Sequence, residues 1–188
     1  MQSKLKQFLS TREKQYITGS GRIPAAVILP LYVKRGRYHI LFIKRTDKVT
    51  RHKGEISFPG GVHEKRDKTL RDTALRECTE EIGLLARDVE ILSELDDEVS
   101  VATNYVISPF AALIPWPYHF KVDGRETEAI IEVPVSALLK SGRSRQEIRD
   151  SKTITVYFYH HQGQVIWGAT ARILKKFLDI FNRVGQDI

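Results

Sequence analysis

Between Leu75 and Gly83 the chain reads LRECTEEIG, which crowds three glutamates and an arginine into nine positions. On a helix Glu77 and Glu81 lie four residues apart and share a face, and Glu80, three from Glu77, lies beside it. Like charges at these spacings destabilise a helix by about 0.2–0.5 kcal/mol per pair. They also fall near the helix C-terminus, where the dipole disfavours negative charge. A divalent cation reverses the sign of that argument. Carboxylate oxygens are hard ligands suited to Mg²⁺ or Mn²⁺, and Mg²⁺ usually takes one or two carboxylates together with waters and substrate phosphates. Arg76 has Glu80 at i+4 in reach, to orient a glutamate or to touch phosphate. A solvated acidic helix end with an Arg76–Glu80 surface pair is the plainer account of this segment by itself. Upstream, Gly60 and Gly61 close the stretch GEISFPGG. Glycines let a backbone approach a ligand closely and present its N–H or C=O groups. A strand, a Gly-Gly turn and an acidic helix in that order are more specific than any one of them.

The rest of the chain must position these groups. Residues 25–33 and 38–45 are apolar, β-branched runs flanking KRGR, and read as a hairpin. Over 68–82, Leu70, Ala74, Cys78 and Ile82 form one apolar stripe of a helix that Gly83 ends. Strands are expected at 89–95, 105–114 and 128–134, with Pro134 opening a short helix. Residues 141–152 carry no apolar stripe and read as a mobile loop. Residues 153–160 alternate as a strand, with QVIW as its hairpin partner, and 169–184 form an amphipathic helix. Trp167, just before it, is expected in the core. Many strands with two principal helices point to one α+β or layered α/β/α domain.

With 188 residues the chain can bury a real core. Its 30 basic and 23 acidic residues leave a net charge of +7, which draws anionic partners without choosing among phosphorylated small molecules, nucleic acid and lipid headgroups. The longest apolar run, 24–33, is too short to cross a bilayer, and the first residues lack the apolar core of a signal peptide. One cysteine excludes an internal disulfide framework and fits a cytoplasmic location.

Taken together, the motifs resemble the Nudix hydrolase family. Its box runs Gly, five residues, Glu, seven residues, then Arg-Glu-apolar-any-Glu-Glu-any-Gly-apolar, and residues 76–84 match the second half throughout. The first half departs: fourteen residues separate Gly61 from Arg76 instead of thirteen, and the first glutamate is replaced by Asp67, counted from Gly61, or Lys68, counted back from Arg76. The extra residue is similar to the coenzyme A diphosphatase subgroup. So are Leu41, Arg45, Gly54 and Phe58-Pro59-Gly60-Gly61 at that subgroup's spacings, although Thr50 stands where its second arginine belongs and Arg51 follows one place later. The likeness extends over residues 24–182 and includes EAIIEVPVSALL and IWGATARIL.

The resemblance implies an α/β fold, a Nudix-type α/β/α sandwich with a mixed β-sheet, over residues 21–188, preceded by an N-terminal extension, 1–20. It implies hydrolysis of a diphosphate linked to another moiety, with Mg²⁺ or Mn²⁺. Glu77 and Glu81 would be the main metal ligands, Glu80 a third ligand or a base, Gly61 a carbonyl donor, and Arg76 the group orienting the carboxylates. Gly60 would face the substrate, with Arg45, Arg51 and Lys53 as contacts for a 3′-phosphate. The expected partner is a small diphosphate of the coenzyme A class; ADP-ribose, a dinucleotide or a nucleoside triphosphate is the alternative. No membrane partner is expected, and a homodimer is left open. The intact Arg76-Glu77 and Glu80-Glu81 pairs argue against a module that has kept the fold only to bind nucleic acid.

Overall fold

Two strands set the layers. β1 (Ile23–Lys34) and β2 (Arg37–Arg45) pair antiparallel, with Leu31 opposite Ile40 and Lys34 opposite Arg37. Their side chains alternate between two cores. Leu29, Leu31, Ile40 and Phe42 enter one, while Ala26, Ile28, Tyr32, Leu41 and Ile43 enter the other. A sheet apolar on both faces must be covered on both. The computed structural model of the chain, which describes residues 2–19, 21–48, 53–100, 102–149 and 151–186, shows how.

Around this hairpin lie β3 (Ile56–Ser57), β4 (Gly60–Val62), β5 (Glu90–Glu94), β6 (Glu98–Ser100), β7 (Tyr105–Leu113) and β8 (Thr127–Pro134), making an eight-stranded sheet. β1 runs parallel to β7 from Ile23–Tyr105 to Leu31–Leu113, while its pairings with β2 and β4 are antiparallel, so the sheet is mixed. One face is covered by α2 (Leu70–Ile82), through Ala74, Cys78 and Ile82. The other is covered by α4 (Gly168–Gln186), through Ile173, Leu174, Phe177, Leu178 and Phe181, and by α1 (Gln2–Thr11), through Leu5 and Leu9. The result is the expected α/β/α sandwich with a mixed sheet. Among the described residues no helix is long and apolar enough to cross a membrane.

Three expectations need correction. Residues 141–152 are not a loop: α3 (Val135–Ser141) leads into β9 (Gly142–Arg149), which pairs antiparallel with β10 (Lys152–His161), and β11 (Gln164–Ile166) completes a second, three-stranded sheet. β9 is held by its backbone ladder and by local contacts, Gln146 Nε2 to Thr155 Oγ1 at 3.1 Å and Arg145 over the Phe158 ring. Neither of its faces is apolar, so it shows no apolar stripe to detect. Gly60 and Gly61 are not a free turn but strand residues opposite Val27 and Ala26. Trp167 is 43% exposed; it precedes α4, where its carbonyl accepts from Ala171 N.

Residues 2–17 are also tied to the sheet. Beyond α1, Lys14 pairs with Glu94 and Asp97, Arg12 with Asp96, and the Gln15 and Ile17 N–H groups donate to Asp96 and Asp97. Leu9→Ala should cost about 2–5 kcal/mol, because it opens a cavity in a filled core. Ile148→Ser, on a side chain 80% exposed, should move stability by less than about 0.5 kcal/mol. Urea unfolding of both variants compares them; an unchanged midpoint for Leu9→Ala would show that α1 is not part of the core.

Candidate active site

Helix α2 carries its own start and stop signals. Thr69 Oγ1 accepts from Asp72 N (3.1 Å), and the Asp72 carboxylate accepts from Thr69 N (3.0 Å), a reciprocal cap. At the other end Gly83 takes φ +67°, and its N–H and that of Leu84 close on Thr79 and Cys78. Cys78 is fully buried under the helix, and burial pushes its thiol well above the ordinary range.

Arg76 is the hub of the acidic end. Its Nε and Nη2 grip the two oxygens of Asp67 at 2.9 and 3.0 Å, Nη2 also donates to Val62 O, and Nη1 donates to Glu77 (2.7 Å) and Glu80 (3.1 Å). With its donors spent on protein, Arg76 orients carboxylates rather than reaching out to phosphate. Asp67 is buried and accepts further from Thr73 Oγ1 (2.9 Å) and Glu64 N (3.0 Å). These bonds, Arg76 foremost, hold its carboxyl well below the usual range against the cost of burial. His63 Nδ1 lies 2.9 Å from Thr73 Oγ1 behind the same group.

Glu77 and Glu81 occupy a different environment. Burial raises both, Glu81 to about 8; Arg76 opposes the shift in Glu77 while Glu80 and Glu126 add to it, and Gly60 N–H, 3.0 Å from Glu81 Oε2, and the charge of Arg45 oppose the shift in Glu81 while Glu77 and Glu126 add to it. The glycines make this approach possible. A Cβ on Gly60 (φ +152°) would strike the Ala26 carbonyl, and one on Gly61 would occupy the space of the Glu77 carboxylate. Glu80 is half-exposed and divides its oxygens between Arg66 Nη2 and Arg76 Nη1.

The carboxylates line a cleft of about 480 Å³ together with Asp123, Arg125 and Glu126. Of the expected substrate contacts, Arg45 reaches the cleft's edge but is bonded to Glu126 Oε2 at 3.1 Å, with its Nε buried and unpartnered. Lys53 is exposed beside Gly54, and Arg51 lies outside the described residues. Asp123, Arg125, Glu126 and the anchoring Asp67 were not among the expected residues.

The NUDIX domain profile matches residues 21–157. The chain belongs to the Nudix hydrolase family. An uncharacterized Nudix hydrolase NudL of Photorhabdus laumondii is 34% identical over 152 residues, 80% of this chain and 80% of that protein, and one of an Enterobacter species is 31% identical over 176 residues, 92% and 90%. A MutT/nudix family protein of Enterococcus faecalis superposes with a TM-score of 0.59 over 99% of this chain and 70% of its own, at 15% identity. The Nudix fold thus extends over both cores.

Nudix hydrolases generally use divalent metal ions, and the donors here fit one. Among the described residues no three acidic, histidine or cysteine side chains close on a common point. Mg²⁺ does not need that, since waters and substrate phosphates complete its shell. What the site offers is two part-buried carboxylates, Glu77 and Glu81, whose negative charge a cation would compensate, and a glycine wall that leaves their oxygens room.

Two outcomes are expected of this Nudix site. Gly61→Ala should keep the fold but displace the Glu77 carboxylate, lowering turnover at least about tenfold, a ligand-positioning effect; equal kcat for variant and parent would remove the cradle argument. A carboxyl that holds its proton more tightly when folded contributes stability fully below its unfolded value, 4.5, and loses it as pH rises through about 8. The melting temperature of metal-free protein should therefore fall between about pH 5 and about pH 8.5, and Glu81→Gln should flatten that slope. A slope unaltered by the substitution would place the titration elsewhere.

Proposed function

We propose that this Nudix hydrolase cleaves the diphosphate of coenzyme A or a derivative, using Mg²⁺ or Mn²⁺ held by Glu77 and Glu81. Water adds to one phosphorus, the bridging oxygen leaves with the other, and the products are 4′-phosphopantetheine and adenosine 3′,5′-bisphosphate. The observation that supports this reading is the Phe58-Pro59-Gly60-Gly61 segment with its upstream residues. Phe58 is buried on Phe42 with ring centroids 4.9 Å apart, and Pro59 O accepts from Ile28 N. That anchorage delivers Gly60 N to Glu81 and Gly61 to Glu77.

The bound metal would supply neutralisation of phosphate charge and activation of water. The chain supplies the rest. Arg76, fixed by Asp67, sets the angle of Glu77 and Glu80; Glu80, exposed at the rim, is a third ligand or the base; the Gly61 carbonyl is a further candidate donor. Lys53 and Arg51 are candidates for the 3′-phosphate, and Arg45 supports Glu81 in its ionised form. A single cysteine suits a reducing cytoplasm. Another nucleoside diphosphate derivative is the second reading, favoured by Thr50 in the place of the subgroup's arginine.

A panel of coenzyme A, ADP-ribose, a dinucleoside polyphosphate and nucleoside triphosphates, each with Mg²⁺ and Mn²⁺, separates the two. Coenzyme A should give the highest kcat/KM, with both products seen by mass spectrometry. Preferred turnover of another compound would transfer the assignment to it. Glu81→Gln should lower kcat at least about a hundredfold with a folded protein, because it removes a ligand rather than a core group; unchanged turnover at saturating Mg²⁺ would remove Glu81 from the metal.

A further inference from the structure

Opposite the box helix, the cleft is closed by residues 123–127, whose arginine has no part in the chemistry proposed above. This turn is built from specific bonds. Asp123 N donates to Glu81 O at 3.0 Å, so the turn starts on the end of α2 itself. The Asp123 carboxylate accepts from Glu126 N (3.1 Å) and Thr127 N (2.9 Å), and Gly124, at φ +68°, donates its N–H to Thr127 O. From the side of β2, Thr46 N donates to Glu126 O (2.9 Å) and Thr46 Oγ1 to Arg125 O (2.8 Å). The main chain of Arg125 is therefore pinned between the metal helix and the central sheet.

Its side chain is not. Among the described residues the Arg125 guanidinium makes no hydrogen bond or ion pair, and it is the one cation lining a cleft whose other walls are Glu77, Glu80, Glu81, Asp123 and Glu126. Arg45, the other arginine close by, already donates to Glu126. We infer that Arg125 receives a phosphate of the substrate's diphosphate, on the wall facing the metal-holding carboxylates. The inference rests on the proposed metal-dependent diphosphate hydrolysis. A diphosphate brings several negative charges into a cleft of five carboxylates. A metal compensates them at the box helix and leaves the far oxygens facing acids, unless a cation meets them there. A guanidinium offers two parallel N–H donors that match two phosphate oxygens, and an exposed side chain on a fixed turn can do so without costing the fold.

The test uses the full chain with Mg²⁺ and two measurements. In steady-state assays of whichever diphosphate the parent turns over best, Arg125→Ala should raise KM about tenfold or more, as loss of a charged phosphate contact does, with kcat changed less than about threefold, and Arg125→Lys should recover part of the loss. In calorimetry, the Kd for ADP with Mg²⁺ should rise by a similar factor while the melting temperature stays that of the parent. KM and Kd both within about twofold of the parent would overturn the contact, as would loss of ADP binding by unfolding alone, seen in Arg125→Ala but not in Arg125→Lys. If the parent hydrolyses no diphosphate, the proposed function fails, while ADP calorimetry still decides the Arg125 contact. A parent that binds no ADP overturns the Arg125 contact, and one that also hydrolyses no diphosphate sinks both.

Discussion

One guanidinium makes the acidic helix end tenable. Repulsion between glutamates a turn apart costs a few tenths of a kilocalorie per pair, whereas a hydrogen bond to a charged group contributes about 1.5–3 kcal/mol net. Arg76 makes several such bonds at once, to Asp67, Glu77 and Glu80. The cost is moved to Asp67, which must be buried to aim the arginine and is kept ionised only by the donors around it. Glu81 is left outside this arrangement, with one backbone N–H and the more distant Arg45 to support its charge. The hub therefore holds Asp67 ionised, offsets only part of the burial cost of Glu77, and leaves Glu81 to be stabilised as an anion by a further positive charge.

The parts that alternation and capping encode were legible in the sequence. The box helix announces its apolar stripe and its terminal glycine, and the central hairpin is apolar enough to demand cover on both faces. Asp67 was legible in a weaker sense. It stands at the right count from Gly61, but it is a shorter acid than the family pattern carries there, and only the bonds from Arg76 and Thr73 show that an aspartate reaches. β9 left no trace because a strand held by its ladder, with Arg143, Arg145 and Glu147 on one face and Gly142, Ser144, Gln146 and the lone apolar Ile148 on the other, has no apolar stripe. α1 buries only Leu5 and Leu9, one pair at i, i+4 beside the exposed Phe8, among lysines and glutamines.

The turn at 123–127 shows why sites spread over several segments resist reading from sequence. Nothing in VDGRET repeats or matches the box. Its place follows from Lys121 N and Asp123 N docking on the Ile82 and Glu81 carbonyls at the end of α2 and from Thr46, some eighty residues earlier, tying it to β2. Such tertiary bonds bring Arg125 and Glu126 to the cleft. Family membership is shared with relatives 31–34% identical and the sandwich with more distant structures, but half of the residues lining the cleft, Asp123, Arg125 and Glu126, sit in this connecting segment.

Cys78 lies on the buried face of the box helix, with no surface exposed and its thiol held protonated by burial. Alkylating reagents require the thiolate and access to it, so the closed molecule is inert to them. Any labelling by iodoacetamide must pass through a state in which the helix has lifted from the sheet. The chain thus contains a single built-in reporter whose modification rate measures how often the scaffold of its acidic residues comes apart, and a bound cation that clamps the helix down would slow that rate.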